Sequence, residues 1–135
     1  MDNRELIRLA LEAREAAYAP YSGFRVGAAL LTKDGKVYKG CNIENAGYTP
    51  TNCAERTAFF KAVSEGERDF AAIAVVGGSE ELPKSYAFPC GVCRQVMMEF
   101  CEPETFRVIT AISENEYMDK TLEEMLPHGF GPSSL

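Results

Sequence analysis

An α/β domain in three layers, with helices on both faces of a mixed sheet, is the fold class this chain predicts. Three observations predict it. An apolar helical period opens the chain, a strand alternation broken at Asp34-Gly35 follows, and a continuous apolar run from Ala71 to Val76 leads into a further helix and strand. At 135 residues the chain is a single domain, residues 1–135, with length for one substantial core but not for two.

Residues 3–18 carry the first helix: Leu6, Ala10, Ala13 and Ala17 share a face, with Ile7 and Leu11 beside them. Asp2 can cap it while Glu5 reaches back. Tyr18-Ala19-Pro20-Tyr21-Ser22-Gly23 breaks the helix. Phe24, Val26, Ala28 and Leu30 then alternate as a strand, Asp34-Gly35 turns the chain, and Lys36 to Cys41 returns. Asn42 to Thr51 is a polar loop, and Asn52 opens a helix running to about Ser64, stopped at Gly66. Residues 71–76 read as a strand buried on both faces, ending at Gly77-Gly78. Pro89 precedes a third helix from Cys90 to about Cys101, and Phe106 to Ile112 is the fourth strand. The tail holds a short helix near Leu122–Met125. In this order the hairpin comes first and parallel strands follow.

Composition narrows the function. The net charge is −6 and the 14 basic residues are scattered singly, so a polyanion is a poor partner and a small uncharged substrate suits better. No apolar run approaches the roughly 18 residues of a membrane span. Met1-Asp2-Asn3-Arg4-Glu5 does not read as a secretory leader, so a cytoplasmic location is expected. Five cysteines without framework spacing point to metal or redox use, not disulfides.

The chemistry concentrates in Cys53-Ala54-Glu55 and Pro89-Cys90-Gly91-Val92-Cys93. Both groups sit at predicted helix starts, where partial positive charge favours thiolates. Cys90 and Cys93 share a helical face and can share an ion. Alone, that pair would also suit redox chemistry or two buried thiols. Alone, Glu55 would also suit a capping box with Asn52 as its cap. Together the pieces point to a catalytic zinc site, with Cys53, Cys90 and Cys93 as ligands and a fourth tetrahedral position open to water. Glu55 is then the acid–base group. Three thiolates on Zn²⁺ leave one net negative charge, and Arg56 is placed to offset it. A closed structural zinc would need a fourth ligand. Cys101, eight residues beyond Cys93 and about 12 Å along the same helix, is out of reach. Cys41 and His128 remain candidates, with a packed thiol and a loop histidine as the plainer readings.

Along nearly its full length the chain resembles the small homotetrameric cytidine deaminases. The resemblance rests on Phe24-Arg25-Val26-Gly27-Ala28-Ala29, Gly40-Cys41-Asn42-Ile43-Glu44-Asn45-Ala46, Cys53-Ala54-Glu55-Arg56, Pro89-Cys90-Gly91-Val92-Cys93-Arg94-Gln95 and the tail Leu126-Pro127-His128-Gly129-Phe130-Gly131-Pro132. Cysteine at position 53, in place of histidine, resembles the tetrameric branch. The resemblance implies a mixed five-stranded sheet, one strand more than the pattern locates, and one Zn²⁺ per subunit. It implies that Asn42 and Glu44 hydrogen-bond the ribose and that Phe24 packs against the pyrimidine. Backbone beside Ala54 and Cys90 would read the amino group and the oxygen on zinc, and Phe130 would reach into a neighbouring subunit's site and stack on the base. The implied reaction is hydrolysis of cytidine, and of 2′-deoxycytidine, to the uracil nucleoside and ammonia, in pyrimidine salvage. Two other functions fit the same residues: deamination of another small cytosine compound, or a non-catalytic structural zinc module. Polynucleotide editing lacks the basic groove that single strands require.

Overall fold

The structure, a computed structural model, describes residues 1–135. Helix α1 (Asn3–Arg14) opens the chain, followed by β1 (Arg25–Thr32), β2 (Val37–Cys41), α2 (Ala54–Ser64), β3 (Phe70–Gly78), α3 (Gly91–Phe100), β4 (Arg107–Ser113), β5 (Glu116–Thr121) and the one-turn α4 (Leu122–Met125). A 3₁₀ turn, Pro132–Ser134, ends it. The five strands form one sheet in the order β2-β1-β3-β4-β5. Both β1 pairings are antiparallel, β3 and β4 are parallel, and β5 is antiparallel to β4. The expected run of parallel strands is therefore a single parallel pair, because β3 returns beside β1 in the opposite sense.

Period-two alternation divides the core between the two faces. Ala29, Ala72, Ala74, Val76, Ile109 and Ala111 face Leu6, Ile7 and Ala10 of α1. Ala28, Leu30, Ile73, Val75 and Val108 face the other layer, built from Ala58, Phe59 and Ala62 of α2 and Met97 and Met98 of α3. The apolar run of β3 is thus buried on both sides, as its composition predicts.

Local differences have physical causes. Asp2 caps α1 by accepting from the Glu5 amide, but α1 ends at Arg14, not near residue 18. The next amides bond three residues back, and Tyr18 is drawn off to pair with Ile43 and Asn42. The cap of α2 is Cys53, one residue later than expected. Asn52 donates instead to the Thr57 hydroxyl. Glu55 is therefore in the second helical position and lacks the geometry of a capping box. Strand β5 falls in the segment read as tail: Glu-Tyr-Met-Asp-Lys-Thr is a mostly exposed edge strand without an apolar alternation.

One close approach positions the site. A Cβ on Gly40 would lie 2.5 Å from the Ala54 carbonyl oxygen, 2.5 Å from the Ala58 amide nitrogen and 3.0 Å from its Cα. All are backbone, so no rotamer relieves the clash, and the first turn of α2 must retreat. Gly40→Ala is expected to cost about 1–3 kcal/mol and to lower kcat/KM, because that turn carries Cys53 and Glu55. Thermal unfolding and steady-state kinetics check both; unchanged values would mean α2 has slack at this crossing.

Candidate metal centre and active site

The N-termini of α2 and α3 converge. Cys53 caps α2 with its backbone, and Cys90 caps α3 by accepting from the Cys93 amide at 3.5 Å. Three thiols meet there: Cys53 Sγ to Cys90 Sγ is 3.7 Å, Cys90 Sγ to Cys93 Sγ is 3.4 Å, and all three lie within 4.8 Å of one another. Tetrahedral zinc with Zn–S bonds of about 2.3 Å would set its sulfurs about 3.8 Å apart. The trio fits such an ion with small adjustment, and soft thiolates select zinc over hard cations. Cys41 and Cys101 are outside the cluster, as is His128, which lies exposed in the tail.

Electrostatics favour a thiolate at this point. The Cys93 contact, reinforced by Arg56, draws the Cys53 thiol down to about 5. The same contact and burial push Cys93 up. Arg56 Nη2 donates to Cys53 Sγ at 3.3 Å, while its buried Nε has no partner. The guanidinium thus lies against the sulfurs, the position expected of a charge-offsetting group. Burial pushes Cys41 and Cys101 up as well; both are half-buried, and neither joins the trio.

Beside the trio lies a cavity of about 310 Å³, within the range of small-molecule sites. Phe24, Asn42, Cys53, Ala54, Glu55 and Cys90 line it, so six sequence-derived residues meet at one pocket. Glu55 is only 4% exposed, and burial pushes its carboxyl up to about 7. Asn42 is held from both ends: its Oδ1 accepts from the Val26 amide and its Nδ2 donates to the Phe24 carbonyl. One N–H of that amide remains for a ligand. Glu44 lines an adjoining hollow, not this pocket, and accepts from the Tyr21 and Ser22 amides and the Ser22 hydroxyl. Those bonds hold its carboxyl below the usual range and leave further lone pairs. Phe130 does not line the pocket of its own chain; it is 60% exposed, and its carbonyl accepts from Gln95.

Sequence reading missed Val26, Thr51, Asn52, Ala87 and Phe88, which complete the lining. Val26 lay in the alternating strand, and Phe88 lay next to the Pro89-Cys90 motif. Those positions were the available signals.

A thiol trio able to hold a metal at paired helix ends, with a buried carboxyl lining the same cavity, is the arrangement that a zinc-dependent hydrolytic deaminase requires. Residues 1–110 match the family model described as the cytidine and deoxycytidylate deaminase zinc-binding region, and the chain belongs to that family. A cytidine deaminase of Halalkalibacterium halodurans is 54% identical over 96% of this chain and 95% of its own length. One from Sporosarcina psychrophila is 51% identical over 100% of this chain and 96% of its own. The crystal structure of cytidine deaminase from Burkholderia pseudomallei superposes with a TM-score of 0.88 at 49% identity, covering 96% of this chain and 100% of that one. Zinc is accordingly the cofactor. No helix is long and apolar enough to cross a membrane.

Proposed function

We propose that the chain hydrolyses cytidine, and 2′-deoxycytidine, to uridine or deoxyuridine and ammonia. The observation that carries this reading is a buried Glu55 facing, together with Cys53 and Cys90, a pocket of nucleoside dimensions. Relatives named cytidine deaminase, matched over nearly their whole length, support it.

Cys53, Cys90 and Cys93 would hold one Zn²⁺ per subunit, and the metal, when bound, supplies the Lewis acidity that makes water nucleophilic near neutral pH. Arg56 offsets the excess thiolate charge. Glu55 takes a proton from the attacking water and delivers it to N3 of the base, which makes C4 electrophilic. As the C4–O bond forms and the C4–N bond breaks, Glu55 passes the second proton to the departing amine. Phe24 packs on the pyrimidine, and backbone at Ala54 reads its polar edge. Asn42 and Glu44 take the ribose hydroxyls; a carboxylate there repels a phosphorylated sugar, as does a net charge of −6.

The active form is a homotetramer with shared sites. An exposed Phe130, together with half-exposed Phe24 and Phe88 at the pocket, supports this, since such groups call for a covering partner. Five unpaired cysteines suit the reducing cytoplasm, where the product would enter pyrimidine salvage. The test is the ultraviolet change of cytidine incubated with zinc-loaded protein, matched to ammonia release and run beside sedimentation. Full zinc without conversion would discard the cytidine reading, and full turnover by a monomer would discard the shared site.

A further inference from the structure

Arg14 heads the fully buried side chains by size and is 1% exposed, yet no acidic side chain meets it. Its guanidinium donates only to carbonyls: Nε to Arg25 at 3.1 Å, Nη1 to Glu81 at 2.7 Å, Nη2 to Gly78 at 2.8 Å, and Nη2 also to Glu80. Burying a cation this way is expensive, and a well-packed apolar side chain often serves stability as well or better. Stability alone therefore does not account for it.

The identity of the carbonyls does. Arg25 lies between Phe24 and Val26, both in the pocket wall. Gly78 pairs with Arg25 across the sheet, and Gly77 pairs with Val26. A Cβ on Gly77 would lie 2.9 Å from Ala87 Cβ, 3.0 Å from Val26 Cγ2 and 3.1 Å from Phe24 Cε1. Three wall residues therefore converge on the strand end whose next carbonyl Arg14 holds. Glu80 and Glu81 lie in the first bend of the β3–α3 loop, which returns through Ala87 and Phe88 to Cys90. One side chain on α1 thus ties the start of β1, the end of β3 and the root of that loop, while lining no part of the cavity itself.

We infer that Arg14 is a positioning residue for the substrate pocket, holding β1 and the β3–α3 loop so that Phe24, Val26, Ala87 and Phe88 form one wall. The inference rests on the proposed reaction for its kinetic consequence only. It separates binding from chemistry: the wall contacts the base, whereas the thiols and Glu55 are carried by the ends of α2 and α3. Loss of the clasp should loosen substrate binding and leave the chemical step.

The experiment compares Arg14→Met, which fills the volume without donors, and Arg14→Lys, which keeps the charge with fewer directions. Both are zinc-loaded and assayed well below their melting temperatures. KM for cytidine is expected to rise about tenfold in Arg14→Met and less in Arg14→Lys, with kcat within about threefold of wild type. Gly77→Ala, which crowds the same wall without touching Arg14, should raise KM likewise. Deuterium exchange should quicken at residues 79–89 in the Arg14 variants while the strand core stays protected. A lower melting temperature with unchanged KM, or a fall in kcat alone, overturns the inference. If Arg14→Met does not fold, Arg14→Lys decides by the same readings. Exchange does not depend on turnover: a wild type inert to cytidine would sink the proposed reaction, whereas unaltered exchange at 79–89 would sink the role of Arg14.

Discussion

Glu55→Gln is expected to keep the fold and the zinc and to lose about a hundred- to ten-thousand-fold in kcat, the share a positioned proton carrier supplies. The substitution is nearly isosteric. Its site is 4% exposed, so the packing against α2's neighbours is retained. The amide can neither take a proton from water nor hand one to N3, and both transfers lie on the proposed path. Stability should not fall, because burial already opposes ionisation of this carboxyl. Zinc content, melting temperature and turnover measured on one preparation make the test. Near-normal turnover in a zinc-loaded variant would remove Glu55 as the proton carrier and leave it a packing residue.

What made the fold readable was local agreement between pattern and burial. The hairpin at Asp34-Gly35, the run in β3 and the apolar face of α1 each declare themselves within a few residues, because each buries its own stripe. Strand β5 declares nothing: an edge strand exposed on both faces needs no apolar alternation, and only its pairing to β4 makes it a strand. The end of α1 was hidden for a related reason. Ala16 and Ala17 suit a helix well, but tertiary pairing of Tyr18 with Ile43 outweighs that preference.

The metal site was legible because ligands and helix starts coincide in the sequence. Cys53 and Cys90 mark the N-termini of α2 and α3 and also supply the sulfurs. The pocket wall was less so. Ala87 and Phe88 follow a loop with no periodicity, and their place beside Phe24 depends on the strand register that sets Val26 opposite Gly77. Arg14 was invisible because an arginine on an amphipathic helix ordinarily reads as a solvated cation, and the carbonyls that bury it lie far along the chain.

Removing the metal should abolish turnover and also loosen the molecule at one end. Helices α2 and α3 meet in the shared core and again at their N-terminal ends. Phe59 and Phe100 stack at 6.3 Å, and the thiols meet at the helix N-termini. Zinc would clamp the second of these, so a chelator strips a cross-link as well as a Lewis acid. An ion bound only by the folded state stabilises it by about 4 kcal/mol at a thousandfold excess over Kd. The metal-free protein should therefore melt lower while keeping its far-ultraviolet dichroism, since the sheet and the core cluster under α1 include none of the three thiols or their neighbours. Zinc added back should restore melting temperature and turnover together. Cys93→Ala should behave like the stripped protein and resist rescue, because the buried ligand of the three is gone. Cys90→Ala, at the exposed corner, should bind zinc weakly and recover part of its turnover at high zinc. Undiminished activity in protein shown to be free of metal would break the link between the thiols and the reaction, leaving the trio a structural clamp.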